Sequence, residues 1–184
     1  PKTKAARIIP KSGAKPKRTI LFIGFAGEEF GLLGAQAWVK AHKDKLPKIA
    51  NLFNRDGGPE PPVGISVPQA MYDDFVKISE PIQKIRPDYP FEVKVREPRK
   101  RPTRMGGTDA SVFAIEGVPT LGFTTEDFKG YDFDYGEIWH TERDLYTKNI
   151  PEYQEHTATV TAIIALGVAN LDKQLSREGL YTEE

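Results

Sequence analysis

The chain has no cysteine, only three histidines and two methionines in 184 residues, and its 26 lysines and arginines are balanced by 26 aspartates and glutamates. Without thiols there is no cysteine nucleophile, iron–sulfur cluster or cysteine-based zinc finger, which leaves His, Asp and Glu as the strong metal ligands. The missing charge excess argues against nucleic-acid binding by the molecule as a whole, since neutralising phosphates needs Lys and Arg in surplus on one face. No apolar run reaches the length needed to span a bilayer. Residues 1–5 resemble neither a start methionine nor a signal peptide, so the chain is expected to begin inside a longer precursor. What is present, 39% apolar residues in a chain of common domain length, suits a single domain that buries roughly 70% of its unfolded surface.

Residues 1–18 carry Lys2, Lys4, Arg7, Lys11, Lys15, Lys17 and Arg18 with no acid. Within them Ala5, Ala6, Ile8 and Ile9 read as the tail of a helix stopped at Pro10. Residues 19–26, Thr-Ile-Leu-Phe-Ile-Gly-Phe-Ala, form the continuous apolar run expected of a central parallel strand covered on both faces. A tight turn at Gly27 to Gly31 leads into an amphipathic helix bearing Leu32, Leu33, Ala35, Ala37, Trp38 and Val39. Residues 49–53 predict a second strand ending in the turn formers Asn54-Arg55-Asp56-Gly57-Gly58-Pro59. Strands are further expected at 63–67, 91–95 and 118–124. Helices are expected at 68–85, with Met71, Phe75, Ile78 and Ile82 inward, at 109–115, and at about 150–175. Residues 96–107 form a basic, proline-punctuated loop, and 177–184 a charged tail expected to fray. The order implies one α/β domain over 1–184, with a mixed, mostly parallel sheet flanked by helices.

Candidate chemistry gathers where strands are expected to stop, the edge at which open α/β sheets place their ligands. Glu28 and Glu29 follow the first strand. One carboxylate can hold a cation while its neighbour faces a water, although two acids in a first helical turn also simply complement the helix dipole. Asp56 ends the second strand, on the same edge if the strands are parallel, or serves as a turn residue. His140 follows an aromatic stretch and is either packed beside Trp139 or a ligand. Gly107-Thr108-Asp109 caps a helix through Thr108 or Asp109, or Asp109 brings a carboxylate near the site in support of a ligand. His42 and His156 read as surface residues. The arginines of the basic loop belong to a solvated loop, or one of them grips a substrate carboxylate.

Taken together, Phe25-Ala26-Gly27-Glu28-Glu29-Phe30-Gly31-Leu32-Leu33-Gly34, then Asn54-Arg55-Asp56, then Gly107-Thr108-Asp109 with Gly117-Val118-Pro119, then Trp139-His140-Thr141 through Asp144 closely resemble the M28 family of co-catalytic zinc exopeptidases, and within it the secreted dipeptidase and carboxypeptidase-Q-like branch. Order and spacing match over nearly the whole chain. The resemblance implies a zinc-exopeptidase fold of the phosphorylase/hydrolase type, a peptide or dipeptide substrate and an extracytoplasmic location. It implies two zincs per complete enzyme, Glu29 and His140 ligating one and Asp56 the other. Glu28 is then the general base and acid, taking a proton from metal-bound water and passing it to the leaving amine. Asp109 matches a family Asp, in a substrate-binding or supporting position, but the His that should follow it is Ala110 here.

A larger departure concerns ligands. The family's His-x-Asp element and its bridging carboxylate lie before the segment resembling residues 5–9, and this sequence has no His before His42. Either the chain is a fragment of a longer enzyme, expected to be inactive or nearly so alone, or the site was lost. Two other readings stand beside the exopeptidase: a glutaminyl cyclase-like enzyme using a single zinc, and a non-catalytic relative acting as a binding module.

Overall fold

The computed structural model describes residues 2–182. Its centre is a three-stranded sheet in the order β2-β1-β3. Strand β1 (Pro62–Val67) runs parallel to β2 (Glu92–Val95), with Ile65 opposite Val93, and antiparallel to β3 (Phe123–Thr125), with Ile65 opposite Phe123. Most of β1 is buried, as the middle strand of a covered sheet must be. Gly64 fits here because a Cβ would lie 2.5 Å from the Glu92 carbonyl oxygen across the ladder.

Helices flank this sheet. α1 spans Lys2–Lys11, α2 Leu33–Ala41, α3 Tyr72–Ile85, α4 Asp109–Ile115, α5 Tyr135–Ile138 and α6 Pro151–Asn170. The apolar stripe of α3 (Phe75, Ile78, Ile82) meets Ile65 and Val67 of β1 and Val160, Ile164 and Val168 of α6 in the main core. A second cluster packs α2 (Ala35, Val39) onto α4 (Val112, Phe113), and a third sets Ala5 and Ile9 of α1 against Ala162 of α6. α6 therefore buries residues around much of its circumference, which suits its long apolar composition. Its Gly167 permits the close approach to α3, since a Cβ there would sit 2.4 Å from Ile78 Cγ2.

The mixed sheet between helices matches the expected class, and the strands at 63–67 and 91–95 and the helix at 109–115 fall within a residue of the expected bounds. Elsewhere the structure differs. Residues 19–26 make no ladder, and Leu21 and Phe22 stand 63% and 39% exposed. An apolar run becomes a strand only when another strand satisfies its N–H and C=O groups, and none among the described residues lies beside it. Residues 49–53 are likewise outside the ladder, tied down by the Leu52 N–H to the Pro119 carbonyl (2.9 Å) and by the Asn51 amide oxygen, which accepts from the Leu121 N–H (2.9 Å). The strand expected at 118–124 contracts to β3. α1 continues one residue past Pro10, and α6 ends at Asn170, whose side-chain oxygen accepts the Lys17 N–H at 2.9 Å. The tail is docked through residue 182: Leu180 is buried, Tyr181 bridges to Arg99, and the Arg177 guanidinium donates to the carbonyls of Pro47, Ile49 and Gly117. Its last two residues lie outside the described part.

His156 is in the core, contrary to the surface position expected from its polar neighbours. It is fully buried, with Nε2 3.0 Å from the Pro62 carbonyl and its ring stacked on Tyr89 at 3.9 Å. A carbonyl only accepts, so Nε2 carries the proton and the buried Nδ1 has no partner. The Arg86 guanidinium and the Lys129 ammonium lie over the Tyr89 ring at 4.8 and 4.6 Å. Burial pushes the His156 pKa from its ordinary 6.5 down to about 4, and Arg86 and Lys129 add to that effect.

Because the unfolded chain binds this proton more readily, His156 destabilises the fold as pH drops from 6.5 to 4, by roughly 3 kcal/mol at the lower end. Urea unfolding at pH 7 and pH 4.5 should show this loss shrinking in His156→Gln, which keeps a donor and removes the titration. An equal loss in both proteins would exclude His156 as the cause. Separately, Gly167→Ala should cost about 1–3 kcal/mol by forcing α3 and α6 apart, read as a lowered Tm.

Candidate active site

The turn after residue 26 is built by the backbone. The N–H groups of Gly31 and Leu32 donate to the Glu28 carbonyl at 3.0 and 2.8 Å, and the Gly34 N–H donates to the Ala26 carbonyl at 2.9 Å. Gly34 must be glycine, because a Cβ would lie 2.6 Å from that same oxygen. Leu32 closes the turn with φ at 61°, in the left-handed region, and α2 follows. Glu28 is left half-buried and Glu29 exposed.

Far along the chain, α5 delivers His140. The residue also sits at positive φ (56°), and the next residue is anchored by Thr141 Oγ1 donating to the Glu137 carbonyl at 2.8 Å. His140 Nε2 thereby comes 3.3 Å from a Glu29 carboxylate oxygen. Asp56 lies on the loop between 49–53 and β1. Its neighbour Arg55 turns away to donate to the Gly58 carbonyl at 2.7 Å, while Tyr135 Oη approaches the Asp56 carbonyl at 3.4 Å. Glu28, Glu29, Asp56 and His140 line one open cleft of about 780 Å³.

Asp109 is the first residue of α4. Thr108 holds the cap position, but its side chain makes no capping bond, and Asp109 Oδ1 is buried without any hydrogen-bond partner. The capping alternative therefore fails for both residues. What Asp109 does is electrostatic: its carboxyl is pushed up by burial first and then by Asp56, against a pull downward from Lys2. Glu28 is raised in the same direction, by desolvation and then by Asp56, Glu29 and Asp109, with His140 opposing. An acid raised in this way holds a proton more readily than an ordinary glutamate.

Of the other histidines, His42 is half-buried at the C-terminal cap of α2, its Nδ1 2.8 Å from the Trp38 carbonyl and its ring stacked on Trp38. His156 lies in the core. Neither belongs to the cleft. Tyr135, Lys148, Asn149 and Gln154 do line it, and sequence reasoning missed all four. Nothing in their local pattern marks them, because their place follows from how α5 and the start of α6 pack.

The donor set can be tested against zinc. A neutral imidazole nitrogen and a carboxylate oxygen suit the metal, but among the described residues no group of three or more His, Asp or Glu is placed to hold an ion. His140 and Glu29 make a pair, one donor short of the three protein ligands of catalytic zinc. They fit as part of a metal site and not as a complete one, so no reaction step is drawn through the metal.

Comparison with known proteins places the chain in a family. The model of peptidase family M28 matches residues 3–164, and the chain belongs to that family. It is similar to carboxypeptidase Q of Mus musculus, 24% identical over 94% of this chain and 34% of that protein. It is also similar to a probable zinc metalloprotease of Pyrenophora tritici-repentis, 50% identical over a stretch of 42 residues. Among solved structures it superposes on a peptidase M28 precursor from Shewanella amazonensis with a TM-score of 0.72 and 26% identity, over 95% of this chain and 36% of that one. The LapA aminopeptidase of Legionella pneumophila shares the fold with a TM-score of 0.61 at 20% identity, over 92% of this chain and 44% of its own. The chain thus spans about a third of the length of the curated carboxypeptidase Q relatives it matches.

Isothermal titration with zinc should give weak binding by this polypeptide, abolished by His140→Ala. Two tightly held ions per chain would contradict the incomplete donor set.

Proposed function

We propose that this chain forms part of the active site of a metal-dependent exopeptidase, which hydrolyses peptide bonds near a chain terminus. The observation that carries the reading is the meeting of His140 and Glu29 at 3.3 Å in the cleft that also holds Glu28 and Asp56. Glu29 and His140 offer two donors to one ion and Asp56 one donor to another, the remainder coming from outside the described residues. The relative named a zinc metalloprotease points to zinc, which when bound polarises a carbonyl and acidifies water. The chain's own contribution to the chemistry is Glu28. Its raised carboxyl accepts a proton from the attacking water and delivers it to the leaving amine. Asp109, close enough to raise Glu28, supports that shift. An extracytoplasmic setting, implied by the family resemblance, goes with this reading.

The incomplete donor set favours one rival, a non-catalytic relative that binds peptides without cutting them. Glu28→Gln in the complete protein separates the two. It should lower turnover of short peptides by about 10²–10⁴-fold while leaving metal content and peptide affinity near wild type. Turnover equal to wild type would remove Glu28 from the mechanism, and absence of any turnover in the fully metallated wild type would favour the binding module.

A further inference from the structure

The basic loop serves the frame and not the cleft. Arg99 donates to Thr120 Oγ1 at 3.0 Å and Arg101 to the Ile115 carbonyl at 3.1 Å, and among the described residues no arginine lines the cleft. His140 and Asp56 are framed instead by the segment that joins β3 to α5, residues 126–134, whose fixed point lies on α6.

That fixed point is Tyr153. Its side chain is fully buried, and its hydroxyl is used in both directions. Oη donates to Asp127 Oδ1 at 2.6 Å and accepts the Lys129 N–H at 3.0 Å. Asp127 Oδ2 in turn accepts the Phe133 N–H at 3.3 Å, so one carboxylate ties the two ends of the segment together and, through Tyr153, to a helix packed into two cores. Burial pushes the Asp127 carboxyl up, but the bonds from Tyr153 and from the backbone N–H groups of Tyr131, Phe133 and Asp132 outweigh it and hold the group below its ordinary value. The anchor is therefore a charge-assisted one at neutral pH. Aromatic contacts seat the same residue, with the Tyr153 ring 6.0 Å from Phe128 and 5.2 Å from Tyr131 between centroids. The segment needs such an anchor, since Asp132 adopts a φ of 53° without being glycine, a conformation that persists only when its surroundings hold it.

What leaves the anchored segment reaches both sides of the site. Asp134 caps α5, its Oδ1 accepting the Gly136 N–H at 2.8 Å, and α5 delivers His140 to Glu29. Phe133 and Tyr135 press on Gly58, where a Cβ would lie 2.6 Å from Phe133 Cε1 and 3.3 Å from Tyr135 Cδ2, and Tyr135 Oη donates to the Asp56 carbonyl at 3.4 Å. A displacement of the segment therefore moves His140 and the Asp56 loop together. Neither Asp127 nor Tyr153 lines the cleft, so both act through other residues.

We propose that Tyr153 and Asp127 are positioning residues for the metal-binding side chains: their hydrogen bond holds the segment 126–134 on α6 and thereby sets His140 opposite Glu29 and Asp56 on the facing loop. The inference rests on the reading of this cleft as a metal-dependent exopeptidase site, and adds that its ligand geometry is set by a buried pair outside the cleft.

The test measures zinc affinity, by competition with a chelator, in the complete protein and in its Tyr153→Phe, Asp127→Ala and Asp127→Asn variants, with a thermal melt to show that each is folded. Tyr153→Phe keeps the ring and removes only the hydroxyl. It should weaken zinc binding about tenfold, the low end of the cost of losing a group that supports a metal ligand, and Asp127→Ala should do the same. The double variant should be no worse than either single one, because the two act as a unit. Asp127→Asn keeps an acceptor for the Tyr153 hydroxyl and should recover much of the loss. Gly167→Ala supplies the contrast: it loosens α6 against α3 away from the segment, so its Tm should fall with zinc affinity unchanged. Wild-type zinc affinity in both Tyr153→Phe and Asp127→Ala, or an equal loss in Gly167→Ala, overturns the assignment and leaves the pair as scaffold only. Hydrolysis of short peptides, read separately, distinguishes the two levels. Zinc binding that depends on the pair in a complete protein that cleaves nothing keeps this inference and rejects the exopeptidase reading. Cleavage with zinc affinity indifferent to the pair rejects this inference alone.

Discussion

Everything in the molecule is arranged around the burial of β1 between its two partner strands and beneath α3 and α6. Ile65 and Val67 face the same apolar cluster as Phe75, Ile82, Val160 and Ile164, and these side chains lose almost all contact with water. That burial is the dominant favourable term available to a domain without disulfides or other crosslinks. It also sets positions. The loop that leads into β1 carries Asp56, and α6 begins directly after the loop that carries His140 and Lys148. Once β1 and α6 are packed, the cleft between those loops is defined.

The cleft is electrostatically unfavourable on its own. Glu28, Glu29 and Asp56 line it, and Asp109 lies close enough to raise the Glu28 carboxyl. His140 opposes that shift but does not cancel it. Like charges held together by the fold cost free energy in the absence of a cation, and natural proteins keep such costs where function requires them. The strain is also visible in the backbone, since both Leu32 and His140 adopt positive φ without being glycine. The turn that orients Glu28 and Glu29 and the residue that meets Glu29 are held in conformations that side chains other than glycine seldom adopt.

Much of this was legible in the residues. The helical spacing of Met71, Phe75, Ile78 and Ile82 identified α3 because apolar periodicity and burial are the same fact seen twice. The Glu-Glu-Phe-Gly-Leu-Leu-Gly segment marked the turn at Glu28 because its glycines answer to specific backbone needs, as Gly34 does against the Ala26 carbonyl. Where reading failed, the cause was partnership. The run at 19–26 has every local property of a strand, yet a strand is a relation between two segments. His156 sits among Glu155, Thr157 and Thr159, which suggested a surface; burial follows which side of α6 faces Tyr89 and β1, so Glu155 stays exposed while Thr157 is buried too, its hydroxyl donating to the Tyr153 carbonyl at 2.8 Å. The tail reads as charged, but Leu180 and Tyr181 find the main core and Arg177 finds free carbonyls.

The sequence alone determined the class of fold, the positions of the principal helices and the identity of Glu28, Glu29, Asp56 and His140 as candidates, because apolar period, turn chemistry and ligand type are local properties of the chain. Only the tertiary structure decided that His140 reaches Glu29, that Asp109 keeps an unpaired oxygen instead of capping its helix, and that Lys148 and Gln154 share the same cleft. Distances across more than a hundred residues depend on how α5 and α6 pack on the sheet, and no local pattern encodes that packing.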